Sequence, residues 1–173
     1  MIFGMSLHTY TVVHVAISLI AIGSGLVVMY GFLALKRLDN WTALFLSTTV
    51  LTSVTGFGFP FHGATPAIKL GVISLVVLGV ALIARYARNM TGGWRATYVL
   101  CAAIALYLNV FVLVVQSFEK IPALKAAAPT QKEAPFAVTQ LAVLVIFVGL
   151  TILAVKRFHP APALATKSVG KAA

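Results

Sequence analysis

The sequence predicts an all-α fold, an integral membrane bundle of five transmembrane helices, and three observations predict it. Five apolar runs, each near the roughly 20 residues that cross a bilayer, fill most of the 173-residue chain. Charged residues make up only 9% of the chain and gather between the runs, where a soluble domain would carry roughly 25%. The runs lack the alternation over ~10-residue segments that an outer-membrane barrel requires. In lipid the backbone must close its own hydrogen bonds, so such runs become helices despite their many Val and Ile residues.

The first helix is expected over about 10–35. The residues before it carry no Lys or Arg, and the run is longer than the apolar stretch of a signal peptide, so it reads as a retained span. At ~100° per residue, His14, Ser18, Ala21 and Gly25 share one narrow arc. Small and polar side chains of this kind suit a helix–helix contact in a membrane.

The second helix is expected over 41–59 and carries the hydroxyls of Ser47, Thr48, Thr49, Thr52, Ser53 and Thr55. Thr48, Thr52 and Thr55 lie on one face. Two readings stand beside each other: hydroxyls bonded back to the helix's own carbonyls, or the wall of a polar cavity. The third helix is expected over 66–84, and Gly92-Gly93 marks the turn after it.

The fourth helix, over 94–116, aligns Tyr98, Ala102, Ala105, Asn109 and Gln116. Asn109 falls near the bilayer centre, where an amide without a partner costs several kcal/mol, so a partner is expected. The fifth helix, over 136–155, places Gln140 and Thr151 on one face. An outer loop over 119–135 separates the last two helices, and Pro122 opens a short surface helix through Ala128. Residues 1–159 then form one transmembrane domain, and the Ala-, Pro- and Lys-rich tail over 160–173 reads as disordered and cytoplasmic. There is no internal repeat of the kind that builds inverted-repeat transporters.

Charge sets the orientation. Lys36, Arg37, Arg85, Arg88, Arg95, Lys156, Arg157, Lys167 and Lys171 collect at one set of helix ends, Lys69, Lys120, Lys125 and Lys132 at the other. Basic short loops stay in the cytoplasm, so the N-terminus is expected outside and the C-terminus inside. Tyr10, Trp41, Phe59, Phe61, Trp94, Phe118, Phe136 and Phe158 near the helix ends fit interfacial belts. The net charge of +10 therefore belongs to membrane topology, and nucleic acid is not an expected partner.

Several chemistries are disfavoured. Cys101 is the single cysteine, lies inside a run and is expected to be a packed thiol. The only acids are Asp39, Glu119 and Glu133, all in loops or at helix ends. A cation-coupled carrier typically uses a carboxylate within the membrane, and a carboxylate-bridged di-iron site needs about four Glu plus His. No phosphate-binding Gly-rich loop, zinc-protease motif or nucleophile elbow is present. No metal site and no catalytic residue is assigned.

Two site candidates remain. The first is a polar interior cluster of His14, Thr52, Thr55, Asn109, Gln116 and Gln140, of which His14, Thr55, Gln116 and Gln140 fall at similar depth in the outer half. Independent interhelical hydrogen bonds of about 0.6 kcal/mol each would explain the same residues. The second is the histidine pair His14 and His62, the one combination able to ligate a haem b or to hydrogen-bond a quinone. His8 and His62 are expected at the outer surface, His14 just below it and His159 in solvent. The segment TGFGFPFHG brings Phe57, Phe59 and Phe61 beside His62, either to receive a flat apolar ligand or as an interfacial anchor.

The stretch HVAISLIAIGSGLVVMYGFLALKRLDNWTALFLSTTVLTSVTGFGFPFH, with ALYLNVFVLVVQSF and APTQKEAPF, resembles a family of small bacterial multi-pass inner-membrane proteins of no established function. The resemblance covers most of the chain and implies a bacterial inner-membrane setting. In layout the chain is also distantly similar to cytochrome b561-type bundles, but it lacks their paired histidines within several helices. The leading expectation is a non-enzymatic accessory or assembly subunit, with the lipid bilayer and other membrane subunits or a second copy as partners. A haem- or quinone-binding redox subunit is the alternative, and a small-molecule channel or exporter the second.

Overall fold

The computed structural model describes residues 4–60 and 65–159. The described residues are helical, without an extended strand: α1 Leu7–Leu33, α2 Asp39–Gly56, α3 Pro66–Leu82 continuing into a π-helical turn Ile83–Ala87, α4 Trp94–Lys120, α5 Pro122–Ala127 and α6 Ala134–Arg157. His62, Phe61 and the tail over 160–173 lie outside the described residues.

Local chemistry sets the helix ends. The Ser6 and Thr65 side chains accept from the N–H groups of Thr9 and Ile68, capping α1 and α3. Proline opens α3, α5 and α6 within their first two positions, where its missing N–H costs nothing. The short helix expected from Pro122 forms as α5 and ends at Ala127. Helix α1 closes with Lys36 N–H donating to Gly31 O at 2.8 Å and Ala34 N–H to Tyr30 O at 2.9 Å, with Leu35 between them at φ 59°. That left-handed position usually belongs to glycine.

Helix α4 is the hub. It touches α1, α2, α3, α5 and α6, while α3 packs on α2, α2 on α1 and α1 on α6. Its composition explains this, since Ala102, Ala103 and Ala105 are buried and let neighbouring backbones approach. The core around it joins Val28 and Phe32 of α1, Phe45 of α2, Leu78 of α3, Tyr98 and Leu106 of α4 and Phe147 of α6. Gly25 of α1 sits so close to Phe45 and Leu106 that a Cβ would collide with both.

Four helices are long and apolar enough to cross a membrane: Leu7–Leu33, Pro66–Ala87, Trp94–Lys120 and Ala134–Arg157. The chain is thus a helical membrane protein. Helix α2, expected as a fifth span, does not reach that level of hydropathy. Asp39 and Asn40 open it, and seven hydroxyl residues follow.

The two glycines of α1 are expected to respond oppositely. Gly25→Val should destabilise the protein by about 1–3 kcal/mol through overpacking. Gly23 faces open space, so Gly23→Ala should hold or raise stability through helix propensity. The melting temperature of each variant in mild detergent checks this.

Candidate functional site

The best-built polar site lies at the basic end of the bundle, where the α1–α2 and α3–α4 connections meet. Helix α3 widens there into the π-helical turn, with Arg88 N–H donating to Ile83 O at 2.9 Å and Met90 N–H to Ala84 O at 3.0 Å. The extra residue in such a turn re-phases the side chains that follow. Ala84 and Arg85 in this turn are both buried. The connection then passes through Asn89 and Met90 at φ 49° and 55°. Together with Leu35, these are three of the four non-glycine residues with positive φ among those described, and each is a strained position.

The strain surrounds an ion pair. Arg85 is 5% exposed, and its terminal guanidinium nitrogen donates to Asp39 Oδ1. Arg37 Nε donates to the same oxygen at 3.0 Å. The Arg85 guanidinium also lies 5.1 Å from the Tyr98 ring centre and 5.5 Å from that of Tyr86, within cation–π range. Tyr98 is fully buried and meets Phe32 edge-on at 5.6 Å. One guanidinium thus joins α3 to the start of α2 and to α4. Arg95, at the start of α4, donates to the carbonyls of Val155 (2.8 Å) and Phe158, which satisfies the end of α6.

Beside the ion pair is a cleft of about 330 Å³, lined by Arg37, Asp39, Asn40, Ala43, Arg85, Tyr86 and Asn89. Asp39 stands at the N-terminus of α2, where the helix dipole favours a negative charge. Its carboxylate remains 58% exposed, so the pair opens to solvent on one side.

The opposite end holds the histidine. His14 Nδ1 and Thr55 Oγ1 are 2.8 Å apart, and Tyr10 Oη donates to Thr55 O at 2.7 Å. Phe59 packs edge-on against Tyr10 and His14, at 5.1 and 5.2 Å. Phe57 instead leans over Gly71 of α3. His62, the expected second histidine, is outside the described residues, and among those described no group of three or more His, Cys, Asp or Glu could hold a metal.

The expected interior cluster does not assemble as one site. Asn109 Nδ2 donates to Thr49 Oγ1 at 3.3 Å, and Gln140 Nε2 to Phe111 O at 3.2 Å. Gln116 is exposed, while the Thr52 hydroxyl is buried without a partner among the described residues. The α2 hydroxyls turn back on their own helix: Thr48 donates to Leu44 O, Thr49 to Phe45 O, Thr55 to Leu51 O and Ser53 to Thr49 O. Ser53 also bonds Ser74 of α3 at 3.0 Å. Further out, Glu133 shows the effect of local donors. Slight desolvation would raise its pKa, but bonds from the Thr130 hydroxyl and from the Thr130 and Lys132 N–H groups outweigh it and hold the carboxyl below its usual range.

Sequence reasoning missed the Arg85–Asp39–Tyr98 assembly because Arg85 reads as one loop charge among several. The available signal was that Asp39 is the only acid at the basic end. No family model, curated protein or solved structure matches the chain.

Removing the carboxylate leaves a buried guanidinium without its main counter-charge. Asp39→Ala is expected to cost about 1–3 kcal/mol, less than a fully buried pair because the carboxylate is open to water. Adding Arg85→Met on that background should restore part of the loss, as read from melting temperatures across the double-mutant cycle.

Proposed function

We propose that this protein is a five-helix accessory subunit of a bacterial inner membrane, N-terminus outside and C-terminus in the cytoplasm, that docks a helix of another membrane protein along its α4–α6 face. One observation carries the docking reading. Helix α6 is the least covered span, with 11% of its most apolar window buried, against 39% for α4. Between the two runs an outward-facing apolar groove of about 240 Å³, with Leu100, Ile104 and Tyr107 of α4 facing Leu144, Val148 and Ile152 of α6. Gly149 beside it faces open space, which suits close approach of a second helix.

The reading of α2 as a fifth span is supported by its contacts with α1 at both ends. Thr55 meets Tyr10 and His14 near the start of α1, and Leu38 packs on Gly31 near its end. Helix α2 therefore runs the length of a span beside α1. The hydroxyls of Ser47, Thr48, Thr49, Ser53 and Thr55, bonded to carbonyls of their own helix, need no water. The distribution of Lys and Arg supports the orientation.

A photo-reactive residue at Val148 or Ile152, in the native membrane, should cross-link to a second membrane protein. The same probe at Val76, on the exposed side of α3, should not. Cross-links to lipid alone from the groove would sink the docking reading, and a cross-linked dimer of this chain would replace the foreign partner with a second copy. For topology, a cysteine at Thr130 should react with an impermeant maleimide in intact cells, and one at Arg88 only after permeabilisation. The reverse pattern would invert the orientation.

A further inference from the structure

We propose that the cleft between the α1–α2 and α3–α4 connections binds the phosphodiester of an anionic lipid headgroup. The proposal does not depend on which side of the membrane the basic end faces, nor on the partner docked at α6.

The donors converge and are only partly used. Arg85 lines the cleft and commits one terminal nitrogen to Asp39, while its Nε is enclosed and has no partner among the described residues. Arg37 commits Nε to the same carboxylate oxygen and keeps its terminal nitrogens. Asn40 and Asn89 are among the other residues that line the cleft. Guanidinium groups match phosphate oxygens in fork geometry. Arg37, Arg85 and Asp39 together carry one net positive charge, which matches the single charge of a phosphodiester. Asp39 itself repels an anion, and its role is to hold both guanidinium groups in place.

The surroundings favour a lipid over a soluble anion. The cleft sits where Trp41, Tyr86 and Trp94, all exposed, mark an interfacial belt. Next to its lining residue Ala43 and to the π-helical turn, the exposed Leu44 and Ile83 offer apolar surface for acyl chains. Basic pockets between transmembrane helices are suited to phospholipid headgroups. The strained backbone at Leu35, Asn89 and Met90 is confined to the two connections that frame this cleft.

The test uses the full chain, delipidated in mild detergent, with bound lipid counted by native mass spectrometry. Phosphatidylglycerol should bind, phosphatidylethanolamine several-fold more weakly, and millimolar inorganic phosphate should not displace the lipid. Arg37→Gln should weaken phosphatidylglycerol binding about tenfold, the loss of one charge-assisted contact. Asn89→Asp leaves the ion pair intact, keeps a residue type that tolerates the left-handed backbone, and should weaken it comparably. Unchanged binding in Asn89→Asp, or equal binding of the two lipids, would overturn the proposal. Displacement by inorganic phosphate would overturn the lipid assignment and leave a soluble-phosphate site.

Discussion

Within a bilayer core no water can rescue a polar group, and the arrangement of this bundle follows from that constraint. The hydroxyls of Thr48, Thr49 and Thr55 in α2 bond to carbonyls one turn back. The amides of Asn109 and Gln140 reach across to α2 and α4. Each such bond links two helices at a defined depth and contributes only about 0.6 kcal/mol, so register comes from several weak bonds and not from one strong one. Van der Waals packing does the rest, through the alanines of α4 and the close approach at Gly25.

The two ends of the bundle are built differently. At the basic end, charged side chains clamp four helices: Arg85 binds α3 to α2 and α4, and Arg95 binds α4 to the end of α6. At the other end α1 and α2 meet through the His14–Thr55 bond, and Tyr10 packs on Phe59. Arginine suits the first task because its charge persists and its fork serves several partners. Away from that end of α6 the clamp stops, and most of the helix is left uncovered by the rest of the bundle.

The π-helical turn connects local structure to possible ligand chemistry. It adds a residue to the last turn of α3, and Arg85 within that turn is buried. The cost is strained backbone at Asn89 and Met90, and the Arg85–Asp39 pair lies where it can offset that strain. An open carboxylate and partly used guanidinium groups then face one cleft.

The sequence by itself determined the helical membrane class, the approximate position of the four long apolar helices and the short helix after Pro122. These depend on local quantities: run length, charge placement and proline. It also picked out His14, Thr55, Asn109 and Gln140 as polar groups needing partners. What it could not supply was who partners whom. Gln116 looked equivalent to Asn109 on the same stripe, yet it is exposed, while the neighbours of α4 cover Phe118 two residues further on. Arg85 looked like one of nine basic residues at the helix ends, yet it pairs with an acid 46 residues away and is the most deeply set cation in the described structure. Pairings across such separations depend on helix packing and backbone phase, which only the tertiary structure decides.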